Sequence, residues 1–154
     1  MSDGAPHLHV SSFLMTEDRE FLKRAITSLL DAIAAEHEER HQPSKAARYV
    51  LLSRHCARVE VMFEKNADSP SNIWCLEAAA GKTLIAELVP RPSPASTLWT
   101  KRGKDGEALY GRHSALERMG QLGGADLVCF APKCMAEVGR IIDRLRDVAP
   151  SDLS

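Results

Sequence analysis

The residues from Trp99 to Ser114 combine basic, aromatic and glycine residues in a pattern that could bind an anion. Basic side chains attract phosphates, aromatic rings stack on bases, and glycines allow a ligand to approach the backbone closely. Arg112 and His113 also precede a predicted helix N-terminus, where backbone N–H groups favour an anion. We therefore predict a site for nucleic acid or another polyanion, formed by Trp99, Lys101, Arg102, Lys104, Tyr110, Arg112 and His113.

The same loop has a simpler structural interpretation. Residues 101–106 could form a solvated hairpin turn, with Trp99 and Tyr110 packed across two strands. The two interpretations differ in whether Trp99, Arg112 and His113 line one concave surface.

A second pattern, H-E-E-R-H at residues 37–41, matches the zinc-binding motif H-E-x-x-H. On a helix, His37 and His41 would share one face, with Glu38 beside them. The neighbouring residues are polar, however, Pro43 follows closely, and the sequence offers no obvious third ligand. We therefore predict an exposed helix end without a metal ion and keep a metal-dependent enzyme as an alternative.

Other catalytic patterns are incomplete. The G-K-T at residues 81–83 ends like a phosphate-binding loop, but the glycine required five residues earlier is replaced by Leu76. His113 has a serine only as its direct neighbour, and the G-x-S-x-G motif is absent from the sequence. Glu60 and Glu64 lie about 13 Å apart along an extended strand, too far to share one metal ion. The sequence assigns no catalytic residue and no cofactor, and it favours a binding protein over an enzyme, with a hydrolase using His113 as an alternative.

The four cysteines are read as free thiols. Cys129 and Cys134 form one loose pair, whereas Cys56 and Cys75 stand apart. A zinc site needs two close ligand pairs, and small disulfide-stapled domains contain many more cysteines.

Composition predicts one domain covering residues 1–154. Hydrophobic residues make up 44% and charged residues 27% of the 154, which is typical of globular proteins. The net charge of −1 excludes a uniformly basic DNA coat. It combines −4 for residues 1–44, +4 for residues 45–118 and −1 for residues 119–154, so the basic excess is local. Because we find neither an apolar run of membrane-spanning length nor a signal sequence, we expect a cytoplasmic protein with no membrane partner.

Apolar spacing predicts one long helix over residues 17–41, with Thr16 as its N-cap and Pro43 beyond its end. The inward positions include Leu22 and Ile26. This helix supports a second functional hypothesis, a protein-interaction module that assembles homo- or hetero-oligomers through it. Residues 1–15 are predicted to be a loose tail or a short strand at 9–14.

Alternation predicts a half-buried strand from Arg58 to Glu64, followed by a turn and a second strand at 73–76. The segments 45–57 and 76–88 remain open between helix and strand, the second with a candidate strand at 83–89 or a helix interrupted at Gly81.

Residues 90–112 contain three prolines and three glycines and show no apolar period, so they predict a long irregular loop. Ser114 and Glu117 predict a capped helix over 115–122. A strand at 127–130 and a helix after Pro132 follow, and residues 150–154 form a tail. The resulting fold class is α+β, with a long N-terminal helix, a small, mostly antiparallel sheet and a C-terminal helix-strand-helix.

Overall fold

An antiparallel sheet of six strands forms the centre of the fold. The computed structural model describes residues 18–153. The sheet consists of β1 (Ala35–Glu36), β2 (Ala46–Leu52), β3 (Arg58–Glu64), β4 (Ile73–Leu76), β5 (Arg91–Ser93) and β8 (Leu127–Phe130), in the order β1-β2-β3-β4-β8-β5. A separate hairpin pairs β6 (Lys101–Arg102) with β7 (Ala108–Leu109). Every described pair is antiparallel, and this confirms the prediction of a mostly antiparallel sheet.

In the described part of the chain, three α-helices accompany the sheet: α1 (Arg19–Ile33), α2 (Glu77–Leu88) and α3 (Met135–Arg146). This combination confirms the α+β class. Asp18 caps α1 by accepting a hydrogen bond from the N–H of Phe21 at 3.1 Å. The predicted cap Thr16 and the predicted strand at 9–14 lie outside the described residues. Within the predicted C-terminal tail, residues Pro150–Leu153 form a 3₁₀ helix.

One face of the sheet is apolar and packs against the helices. Val59, Val61 and Phe63 alternate along β3 and are fully buried. Tyr49, which pairs with Val61 in the sheet, donates a hydrogen bond from its hydroxyl to Asp31 of α1 at 2.7 Å. The buried residues of α1 and α3 include Leu22, Ile26, Leu30, Val138, Ile141, Ile142 and Leu145. Burying each Leu or Ile side chain contributes about 1.5–3 kcal/mol, so burial holds these helices in place.

The opposite face is polar, and residues 112–124 cover part of it without forming an α-helix. Arg48 of β2 donates from Nε to a backbone carbonyl of this segment at 2.8 Å. Glu60 of β3 accepts hydrogen bonds from the backbone N–H groups of residues 121–122 at 2.9 and 3.1 Å. The sequence predicts a half-buried strand, but Glu60 and Glu64 are only 1% and 8% exposed. This strand is therefore buried on both faces.

The first helix is shorter than predicted. The sequence predicts residues 17–41, whereas α1 ends at Ile33 and β1 follows directly. The three glutamates in residues 36–39 would be unfavourable at the negative end of a helix dipole, and β1 instead pairs with β2. His37 and His41 therefore do not share a helix face, and the geometry of the H-E-x-x-H motif is absent.

Two segments that the sequence leaves open have definite structures. Residues 45–57 contain β2 rather than a helix. Residues 76–88 contain α2, so the candidate strand at 83–89 is wrong. Gly81 interrupts this helix with a φ of 78°, a conformation that favours glycine.

The predicted helix over 115–122 is also wrong, because only Ser114–Leu116 forms a short 3₁₀ helix. The N–H groups of residues 121–122 donate to Glu60 instead of to helical carbonyls. The Glu60 carboxylate thus takes the place of the backbone carbonyls that would accept these hydrogen bonds in the predicted helix. No helix between residues 18 and 153 combines the length and apolar character required to cross a bilayer.

Candidate functional site

The prediction of an irregular loop over residues 90–112 is wrong in part, because the segment contains β5, a short 3₁₀ helix and the β6–β7 hairpin. The hairpin presents basic side chains to solvent. The hairpin interpretation is confirmed by the pairing of β6 with β7. Glu107 closes the turn: its carbonyl oxygen accepts from the N–H of Gly103 at 2.8 Å, and its carboxylate accepts from the N–H of Asp105 at 3.0 Å. Three basic side chains on the hairpin are exposed: Lys101, Arg102 and Lys104. No ion pair within residues 18–153 involves any of them.

Trp99 and Tyr110 flank this hairpin and contact each other. Their ring centroids lie 5.6 Å apart in an edge-on arrangement. The Tyr110 hydroxyl donates to the carbonyl of Gly123 at 2.8 Å, and burial raises the pKa of this hydroxyl. Trp99 remains 50% exposed. Tyr110 therefore supports Trp99, and Trp99 is the ring that a ligand can reach.

Arg112 anchors the loop to the sheet. Its Nε donates to the Ser93 hydroxyl at 2.8 Å, and its two terminal nitrogens donate to four backbone carbonyl oxygens. These carbonyls belong to Ser93, Leu122, Gly123 and Ala125. All three guanidinium nitrogens are engaged, so a phosphate contact by Arg112 would compete with these bonds. The structure places this predicted contact residue in a supporting position.

His113 lies between the loop and the segment that covers the sheet. It is the N-cap of the 3₁₀ helix Ser114–Leu116, and its Nδ1 accepts from the N–H of Ala115 at 3.1 Å. The predicted cap was Ser114, one residue later. In the neutral imidazole this bond leaves the proton on Nε2, which makes Nε2 a hydrogen-bond donor.

Two adjoining cavities meet at Glu64 and His113. The first has a volume of about 470 Å³ and is lined by residues of β3, β4, β5 and the loop, among them Trp74 and Arg91. The second has a volume of about 510 Å³ and includes Lys45. We call the two together the Glu64 groove. The sequence analysis grouped three residues on one concave surface: Trp99, Arg112 and His113. In the structure, Arg112 and His113 line the first cavity, whereas Trp99 does not.

Glu64 is the most deeply buried acidic group of this groove. Its Oε2 accepts a hydrogen bond from Trp74 Nε1 at 2.7 Å. Behind it, the buried ammonium of Lys23 donates to the Glu64 carbonyl at 3.1 Å and to the carbonyl of Asn66. Burial lowers the pKa of Lys23, and the nearby Glu64 charge opposes this effect. The carboxylate itself has no cationic partner within ion-pair distance among residues 18–153.

Arg91 forms the exposed rim of the same groove. Its guanidinium lies 5.3 Å from the centroid of the Trp74 ring, in cation–π contact. It pairs in the sheet with Cys129, whose pKa burial raises to about 11 against the lowering effect of Arg91. Because that thiol stays protonated at neutral pH, Arg91 does not serve as its counter-ion.

The other predicted motifs do not assemble sites. His37 is buried and its Nε2 lies 2.7 Å from Glu60 Oε2, whereas His41 Nδ1 accepts from the N–H of Arg48 at 3.0 Å. No cluster of three His, Cys, Asp or Glu side chains that could hold a metal ion occurs in residues 18–153. Lys82 is exposed on α2, beyond the interruption at Gly81.

Glu64, Trp74 and Arg91 were not selected from the sequence as members of the ligand site. They lie on three different strands, and only the register of the sheet brings them together. The alternation on β3, which places Glu60, Met62 and Glu64 on one face, was the signal available in the sequence. Comparisons with known proteins add no assignment: no protein-family model, curated protein or solved structure matches the chain.

Proposed function

We propose that the protein binds nucleic acid or another polyanion through the β6–β7 hairpin and Trp99. The observation that carries the proposal is the exposure of Lys101, Arg102 and Lys104 beside a half-exposed tryptophan. Ammonium and guanidinium groups neutralise phosphates, and the indole ring offers a stacking surface for a base.

The loop is well suited to this role because it is held in place before a ligand arrives. Arg112 ties it to β5 and to residues 122–125, and Tyr110 ties it to Gly123. A preordered loop loses less conformational entropy on binding than a flexible one. We therefore assign Arg112 and Tyr110 to supporting the surface, and Trp99 with the three hairpin cations to contacting the ligand.

A titration with salt tests this proposal. Three phosphate contacts predict a slope of log affinity against log salt of about −2 for single strands and about −3 for duplex DNA. The measurement is the fluorescence anisotropy of labelled single-stranded DNA, duplex DNA and RNA at several salt concentrations. Replacing Lys101, Arg102 and Lys104 together with glutamine should abolish binding.

The matched control replaces three exposed basic residues outside the hairpin with glutamine: Lys82, Arg118 and Lys133. This variant loses the same number of positive charges and should bind with nearly unchanged affinity. Equal losses in both variants would show that overall charge matters and the hairpin does not. No binding of any polyanion at low salt would refute the proposal.

Two alternative functions receive less support from the geometry. A protein-interaction helix needs an exposed apolar stripe, but α1 buries Leu22, Ile26 and Leu30 and exposes only Phe21 among its large apolar side chains. A hydrolase with His113 as base needs a ring nitrogen with an available lone pair. The lone pair of Nδ1 accepts the Ala115 N–H, and Nε2 of the neutral ring carries the proton.

A further inference from the structure

The Glu64 groove contains an acidic group that a surface for phosphates alone would not require. Glu64 is more than nine-tenths buried, and its Oε2 is held by Trp74 Nε1. Among residues 18–153, the hydrogen bond from Trp74 goes to Oε2, and none goes to Oε1. Oε1 is not a buried atom without a partner, because in the described residues that description applies only to Gln42 Oε1. Glu64 Oε1 therefore opens into the groove, where a donor from outside the chain can reach it.

The surroundings of Glu64 indicate what kind of donor this is. Arg91 and His113 line the first cavity, and Lys45 lines the second, so hydrogen-bond donors and positive charges surround Glu64, the one buried acidic acceptor of the groove. The second acidic residue, Asp68, lines only the second cavity and is exposed. A simple cation would be repelled by Arg91 and Lys45. A nucleotide meets both requirements, because its phosphate is anionic and its base carries N–H donors.

We propose that the Glu64 groove holds one unstacked, amino-bearing base of a bound strand, whose exocyclic amino group donates to Glu64 Oε1. This inference rests on the proposed function, since the strand itself is held by the basic hairpin. Arg91 and Lys45 meet the phosphates next to the inserted base. A carboxylate accepts well from the N4 amino group of cytosine, whereas thymine places a carbonyl oxygen at that position and repels the carboxylate.

The experiment compares short single strands of deoxycytidine and of thymidine by fluorescence anisotropy at one low salt concentration. The unmodified protein should bind oligo(dC) about five- to tenfold more tightly than oligo(dT), the discrimination expected of one good base contact. In Glu64→Gln, which keeps an oxygen to accept from Trp74, the two affinities should become nearly equal. Circular dichroism and thermal unfolding check that this variant is folded.

Asp68→Asn is the matched control, because Asp68 lines the second cavity but is exposed. It removes the same charge from the groove and should strengthen binding of both oligonucleotides equally while the preference for oligo(dC) remains. A second control changes the ligand: 2-pyrimidinone in place of cytosine lacks the N4 amino group. This substitution should weaken binding to the unmodified protein but not to Glu64→Gln, since the base change and the residue change remove the same hydrogen bond.

The outcomes separate this inference from the proposed function. Equal binding of oligo(dC) and oligo(dT) by the unmodified protein would overturn the base assignment and leave hairpin binding intact. A preference for oligo(dC) that survives in Glu64→Gln would also overturn it. If the protein binds neither oligonucleotide in a salt-dependent way, the proposed function is overturned and this inference with it.

Discussion

Replacing Arg112 tests whether this residue supports the loop or contacts a phosphate. Its guanidinium donates to the Ser93 hydroxyl and to four backbone carbonyl oxygens that belong to β5 and to residues 122–125. In Arg112→Met, the methylene groups are largely kept and every one of these donors is lost. In Arg112→Lys, the positive charge is kept, but one ammonium group cannot reach all of these acceptors.

The expected loss of stability follows from the number of donating nitrogens. Three nitrogens each make at least one bond, and a hydrogen bond contributes roughly 1 kcal/mol net in a partly buried setting. Arg112→Met should therefore lower the free energy of unfolding by about 3 kcal/mol. For a chain of this length that corresponds to a decrease in Tm of about 6–12 °C. Arg112→Lys should lose about 1–2 kcal/mol, because one or two of the three bonds can be kept.

Urea and thermal unfolding measure these losses, and the salt slope for DNA binding measures the alternative. Arg118→Met is the control, because Arg118 is exposed and forms no ion pair or hydrogen bond with the described residues. It should leave stability nearly unchanged. The reasoning is refuted if Arg112→Met retains stability within about 1 kcal/mol of the unmodified protein while its salt slope falls by about one phosphate contact.

Three further predictions concern buried groups. Glu60→Gln should lower the free energy of unfolding by about 3 kcal/mol, because the buried carboxylate binds His37 and two backbone N–H groups. Urea unfolding measures this loss, with Glu87→Gln at an exposed position as the control. Equal stability of the two variants would contradict the prediction. Burial lowers the pKa of His41, so its stabilising contribution is complete above its unfolded value of about 6.5 and is lost as the pH falls through and below that value. His41→Gln should therefore show a smaller drop in unfolding free energy between about pH 7.5 and about pH 5, and an unchanged drop would contradict this. In thiol titration of the folded protein only Cys56 should react quickly, because the other three cysteines are buried and burial raises the pKa of Cys75 to about 12; a second fast thiol would contradict this.

The sequence predicts elements well where local pattern and packing agree. The apolar stripe of α3 and the position of strand β3 are both found as predicted, although β3 is buried on both faces rather than on one. The end of α1 and the missing helix at 115–122 depend on distant partners, so local patterns could not reveal them. Glu60 binds the N–H of Gln121 across 61 residues, and this contact competes with helix formation there.

The candidate site was predicted only in part for a similar reason. The sequence shows the positive charge of the loop, but it does not show the acceptors of Arg112, which lie on two distant segments, β5 and residues 122–125. The hairpin cations remain exposed, and the neighbouring carboxylate of Glu107 accepts from a backbone N–H of the turn rather than from any of them. Glu64 and Arg91 come together only once β4 and β8 lie between β3 and β5.

Glu60 and Glu64 have different partners, and this difference shows how the fold positions the groove. Glu60 and Glu64 lie on the same face of β3, but residues 121–122 cover the first with backbone N–H groups. Glu64 lies beyond the segment that covers Glu60, and among residues 18–153 only Trp74 donates a hydrogen bond to its carboxylate. A chain with a net charge of −1 thereby combines exposed cations on a hairpin with an acidic acceptor inside the adjoining groove. The cations favour any phosphate backbone, whereas the carboxylate opposes every ligand group that does not bring a donor. Under the proposed function, the hairpin cations would supply affinity and the Glu64 carboxylate would supply selectivity.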